Sequence, residues 1–83
     1  MSSFPFMIMD GVAMNAEQYR RMDAAKAQDL IARGYTLAVY VVQGYGEYAE
    51  GDVLSVHKTR EAAQRKANYS SDHWAVRPLQ DYL

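Results

Sequence analysis

The sequence predicts an α+β domain in which two helices cover one face of an antiparallel sheet, with the elements in β-α-β-β-α-β order. Three observations lead there. Thr36 to Val42 reads TLAVYVV, five aliphatic residues with Tyr40 and no charge. Beta-branched and aromatic residues suit a pleated strand, and an uncharged run implies cover on both of its faces. A capped amphipathic helix precedes this strand, and a second strand and a second capped helix follow it. Two sheet orders fit these elements: the ferredoxin-like one, and a variant with the 36–42 strand central. The ferredoxin-like order sets that strand at an edge, where an apolar strand needs cover that a second copy of the chain would supply.

Taken in order, Phe4 to Met9 predicts a short strand, with Pro5 at its start or on an edge. Asp10-Gly11 is a turn pair, and Val12 to Met14 a brief returning strand. Asn15 is the expected cap of the first helix, with Gln18 placed for a capping box and Met14 and Tyr19 for a hydrophobic staple. Ala16, Tyr19, Ala24, Ala27, Leu30 and Ile31 form its buried stripe. Glu17–Arg21 and Asp29–Arg33 are spaced i,i+4 on its charged face. Gly34 is expected to close the helix, with Tyr35 folding back on Leu30.

Beyond the central strand, three glycines between Gly44 and Gly51 mark a loop. Asp52 to His57, DVLSVH, alternates and predicts a strand with one wet face. Thr59 should cap a helix over Arg60 to Ala67, with Glu61 at the positive end of its dipole. Its core contacts are small, chiefly Ala63 and Ala67, and Asn68 is expected to end it in a left-handed conformation. Trp74 to Gln80 predicts the last strand, with Pro78 on an edge. Asp81 to Leu83 reads as a short tail.

Composition narrows the function. Eighty-three residues predict a single domain over 1–83. The absence of cysteine excludes disulfides, thiol nucleophiles and Cys-rich zinc motifs, and suits a reducing compartment. Met1 to Ile8 has neither a basic start nor a long apolar run, so no signal peptide or membrane span is expected and a cytoplasmic protein is. A net charge of −1 is not the footprint of a nucleic-acid binder.

Candidate chemistry is sparse, and an enzyme is not expected. Ser70, Ser71, Asp72 and His73 are neighbours on one loop, whereas a catalytic triad converges from separate elements. A turn held by side-chain to backbone bonds explains them better. His57 and His73, with Asp52 or Asp72, lack the close pairs of a zinc site, so no metal and no cofactor are expected. Gly44, Gly46 and Gly51 neither end in Gly-Lys-Ser/Thr nor lead into a helix, and their loop is acidic. Lys58, Arg60, Arg65 and Lys66 form a basic cluster around the second helix. A solvated helix face accounts for it, and nucleic-acid binding is the alternative.

The loop Tyr45-Gly46-Glu47-Tyr48-Ala49-Glu50-Gly51-Asp52 carries the leading candidate for a site. Tyr45 and Tyr48 suit anchors for a protein partner, and Glu47, Glu50 and Asp52 would steer towards a basic surface. An ordinary hairpin end with its tyrosines folded back on the sheet fits the same residues, and both readings stand.

The run from Thr36 to Ala67 resembles small accessory proteins of phages and mobile elements. The shared pieces are a strand such as YVV, an acidic tyrosine-bearing loop, a strand such as VLSV and a helix beginning TREAA. They cover less than half of the chain. The resemblance implies a small accessory protein rather than an enzyme, a class that includes inhibitors of host defences, anti-CRISPR proteins among them, which act by occupying a partner's surface. It transfers no catalytic residues. A nucleic-acid-binding regulator and a self-associating structural protein, a homodimer for instance, are the alternatives.

Overall fold

A computed structural model of the chain describes residues 11–13 and 21–83. In chain order it contains β1 (Gly11–Ala13), α1 (Ala24–Ala32), β2 (Leu37–Val41), β3 (Val53–His57), α2 (Arg60–Ala67) and β4 (Trp74–Pro78). The fold is α+β. The antiparallel strands β3, β2 and β4 form the body of the sheet, and the short β1 pairs on the outer side of β3. With β2 bonded on both sides, no second copy is needed to cover it. The expected Phe4–Met9 strand, Asp10 and the helix start at Met14 to Tyr19 lie outside the described residues.

The first helix is shorter than its stripe suggested. Arg21 to Asp23 are not helical, and Asp23 is the cap, its carboxylate accepting from the Lys26 N–H at 2.8 Å. The C-terminal end is as expected. Gly34 donates to the Ile31 carbonyl at 2.9 Å and Tyr35 to that of Leu30 at 3.1 Å, the paired bonds of a Schellman end. Gly34 has φ +99°, a conformation that a side chain disfavours. Asp29 and Arg33 pair at 3.2 Å.

The two helices lie on opposite faces of the sheet, which corrects the expectation that they share one. Ala27 and Leu30 of α1 cluster with Ala38 of β2 and Val56 of β3, which are paired in register, and with Val53 and Leu79. Ala63 and Ala67 of α2 cluster instead with Leu37 and Val39, the alternate residues of β2. Successive side chains of a strand point to opposite faces, so β2 is the middle of a three-layer core. Its neighbour β3 has no wet face either. Val53, Ser55, Val56 and His57 are all buried. A bulge interrupts the register between Val39 and Tyr40, leaving Leu54 as an extra residue. Leu54 thereby joins the α2 side while Val53 packs on the α1 side.

Helix α2 can lie close to β2 and β4 because its buried residues are alanines. Thr59 caps it, accepting from the Ala62 N–H at 3.2 Å, and Glu61 stands in its first turn. Asn68 is not left-handed. Its φ of −68° and ψ of −15° carry the chain straight into a 3-10 turn over Asn68–Ser70.

Strand β4 stops at Pro78, earlier than expected, and Leu79–Tyr82 form a 3-10 turn instead of a tail. The Leu79 N–H bonds the Thr36 carbonyl at 2.8 Å and its side chain is wholly buried. The Arg77 guanidinium lies 4.7 Å from the Tyr40 ring centroid, 5.3 Å from that of Tyr82 and 3.8 Å from the Asp81 carboxylate. Burial pushes the Tyr82 phenol above the ordinary tyrosine range, and Arg77 opposes that shift. Stability held by a group raised in this way is complete below the unfolded pKa, about 10, and is lost as pH rises beyond it. The Tyr82 hydroxyl has no hydrogen-bond partner among the described residues. Tyr82→Phe is therefore expected to cost little near neutrality and to lose less stability than the parent on passing about pH 10. Urea denaturation on both sides of that pH measures the difference, and equal losses in the two proteins would refute it.

Candidate functional site

The loop between β2 and β3 is built inward from its base. Asp52 bonds back to β2, where its carbonyl accepts from Val41 at 2.8 Å, and Gly51 donates to the Val41 carbonyl at 2.7 Å. The Asp52 carboxylate accepts from the Ala49 N–H at 2.9 Å and is 5% exposed. It closes the loop on itself and is buried, where an exposed steering charge was expected. At the tip, Tyr45 and Tyr48 exchange two backbone bonds of 3.0 and 2.8 Å. Only Gly46 and Glu47 lie between them, and Gly46 has φ +53°, which glycine adopts freely.

Tyr45 folds back onto the body of the protein. Its hydroxyl accepts from the Trp74 Nε1–H at 2.8 Å. Its ring centroid lies 4.3 Å from that of His73 and 5.4 Å from that of Tyr48. A half-buried indole N–H needs an acceptor, and Tyr45 is the residue that supplies it. Tyr45 is therefore a buttress, which corrects its expected role as a free anchor. Tyr48 is half-buried, while Glu47 and Glu50 are exposed. Of the five loop residues singled out, two are exposed, the two tyrosines are half-buried and Asp52 is buried.

The second loop, between α2 and β4, sits against the first. The His73 carbonyl accepts from the Val42 N–H at 2.6 Å, and His73 Nδ1–H donates to the Gln43 carbonyl at 3.1 Å. That contact assigns the proton to Nδ1, because a carbonyl only accepts. His73 thus stands at one end of β2, while His57 pairs with Leu37 at the other. His57 is buried, with Nε2 2.8 Å from the Ser55 hydroxyl. The two histidines do not converge, and Ser70 to His73 form a turn closed by a backbone bond, His73 N–H to the Ser70 carbonyl at 3.0 Å, where side-chain bonds to the backbone were expected. Sequence reasoning passed over His73 and Trp74 as parts of the site. The signal was there in the single tryptophan beside a histidine, two rings with polar tips that need partners when they pack.

The basic residues stand at the two ends of α2, and two of them pack on aromatic rings. Lys58 lies over the Tyr35 ring at 5.4 Å and Lys66 over the Trp74 ring at 5.7 Å. They flank the two ends of α2, a helix about 12 Å long at its rise per residue. Arg60 and Arg65 are exposed. Arg65 and Lys66 occupy the last turn, where positive charge complements the helix dipole. Local packing and capping thus account for much of the cluster. Comparison with protein-family models, with curated proteins and with solved structures matches nothing.

Proposed function

We propose that this chain is a non-enzymatic binding module that docks stoichiometrically on a basic surface of another protein. The β2–β3 loop is the contact. Glu47 and Glu50 supply the charge, and Tyr48 supplies aromatic area. The observation that carries this reading is the pinned turn from Tyr45 to Tyr48, held by two backbone bonds and buttressed through Tyr45, with Glu47 and Glu50 turned to water. A turn fixed before binding loses little entropy when it docks, which favours affinity. The finer reading is an inhibitor carried by a phage and acting in the bacterial cytoplasm. It would occlude a surface of a host defence complex, as the resemblance of Thr36 to Ala67 implies. On the fold, we read the chain as the variant of the β-α-β-β-α-β order with the 36–42 strand interior.

The test is a titration against the partner recovered with the tagged protein from host lysate. Tyr48→Ala combined with Glu47→Lys is expected to weaken binding by about a hundredfold or more, on the scale of interface hot spots, while the melting curve stays that of a folded protein. Binding by the double variant that matches the parent excludes this loop as the contact.

A further inference from the structure

We infer that the outer edge of β4 pairs with the same strand of a second copy of this chain, antiparallel and centred on Ala75, so that two sheets join into one. This surface is separate from the β2–β3 loop, and the inference does not rest on the reading of that loop.

The register decides which groups the edge offers. The Val42 N–H bonds the His73 carbonyl at 2.6 Å and the Leu79 N–H bonds the Thr36 carbonyl at 2.8 Å, and β2 and β4 pair between these two bonds without a shift. Backbone groups alternate sides along a strand, so Ala75 and Arg77 face β2, as His73 and Leu79 do. Trp74, Val76 and Pro78 therefore turn their backbone groups away from the sheet. β4 ends the strand order β1-β3-β2-β4, and among the described residues no strand lies beyond it. An uncovered row of N–H and C=O groups is a template for another strand, and proteins guard such rows with charge, bulges or proline. β4 is lightly guarded. It has no bulge, and its proline stands at its last position. Its one charge, on Arg77, lies against the Tyr40 and Tyr82 rings with Asp81 beside it.

The strand's own sequence fits this edge. With Ala75 opposite Ala75 of the second copy, Trp74 of each copy faces Val76 of the other. Both are outward residues, so each such pair exchanges two bonds, and neither Pro78 is asked for an N–H that it lacks. Centring the pair on Val76 instead sets each Trp74 carbonyl opposite Pro78, where no donor meets it, so proline selects the register. Ala75 then holds the close pair, about 4.5 Å between Cα atoms, where a small side chain lets the strands approach. On the α2 side, Trp74 and Val76 pack beside Leu37 and Val39 and are only half-buried. Pairing lays each Trp74 against Val76 of the other copy and covers apolar area that one molecule leaves in water. Charge does not oppose it. Arg77 falls opposite His73, not another arginine, and each copy carries a net charge of only −1.

Sedimentation velocity of the full chain, from about 1 μM to about 1 mM, is expected to show monomer passing into dimer. Amide exchange at the two ends of that range locates the seam. Trp74 and Val76 should gain protection with concentration, while Ala75 and Arg77, bonded to β2, are protected throughout. Val76→Pro removes an outward N–H and no bond to β2, so the fold is kept and the dimer should weaken by about tenfold or more. Ala75→Lys sets like charges on the close pair and should weaken the dimer by about fivefold, as should Ala75→Glu. Mixing these last two variants should restore pairing, because opposite charges then meet. A parent chain that stays monomeric throughout, or that protects Trp74 and Val76 only when another protein is added, overturns the pairing of copies. A dimer that is unchanged by Val76→Pro and indifferent to the mixing is built on another surface, and overturns it equally.

Discussion

Ala38→Asp and Val39→Asp are each expected to abolish folding, although the two residues are adjacent and point in opposite directions. Both are 0% exposed. Ala38 faces Ala27 and Leu30 of α1, and Val39 faces Ala63 and Ala67 of α2. An unpaired carboxylate forced into either layer costs several kcal/mol after relaxation. A domain of this size has about 4–12 kcal/mol of stability in all. The pair of substitutions therefore tests the architecture as well as the core. With both helices on one face, one of the two aspartates would reach water and that variant would fold. Circular dichroism melts and amide chemical-shift dispersion distinguish a folded from an unfolded chain, and a cooperative melt in either variant would rule out the three-layer arrangement.

That arrangement was half legible in the sequence. The uncharged run from Thr36 to Val42 announced a strand covered on both faces. Two helices placed on one face would have contradicted it, and the structure resolves the conflict in favour of the strand. What hid the answer was α2. Its buried residues are alanines, which give a weak apolar stripe and so little sign of which face they cover. The apparent wet face of β3 has a different cause. Alternation along DVLSVH presumes an unbroken register, and the bulge at Leu54 shifts it by one residue. Caps read better. Thr59, and Gly34 with Tyr35, act through their own backbone neighbours, so no tertiary context overrides them. Asp23 was passed over because the apolar stripe appeared to continue through it.

The site followed the same division. That Tyr45 to Asp52 forms a tight loop was readable from its glycines. Which of its side chains face water was not, because that depends on residues about thirty positions away. Trp74 captures Tyr45 through one hydrogen bond, and without it the tyrosines of the turn would look equivalent. Asp52 turns inward because the Ala49 N–H needs an acceptor that the strand ladder does not provide. Charge alone marked it as a surface residue, and backbone satisfaction decided otherwise.

Leu79→Ala is the second large effect expected, a loss of about 2–5 kcal/mol, even though the residue stands only four positions before Leu83. Leu79 is 0% exposed and packs with Ala27 and Leu30 of α1, Ala38, Val53 and Val56. All of those neighbours but Leu30 are small or beta-branched, so they cannot lean far into the space a removed isobutyl group leaves. The same residue ties the C-terminal turn to Thr36 through its N–H, a bond that alanine keeps. The loss is thus one of packing, and it should be localised. Amide exchange is expected to accelerate in α1, which leans on this turn, more than in α2, whose contacts lie across the sheet. Leu83→Ala provides the comparison, because Leu83 is 61% exposed and should change stability by no more than about 0.5 kcal/mol. Urea denaturation of the two variants measures the contrast. Equal small effects would mean that the Leu79–Tyr82 turn is an appendage after all, and that α1 is held to the sheet by something other than this leucine.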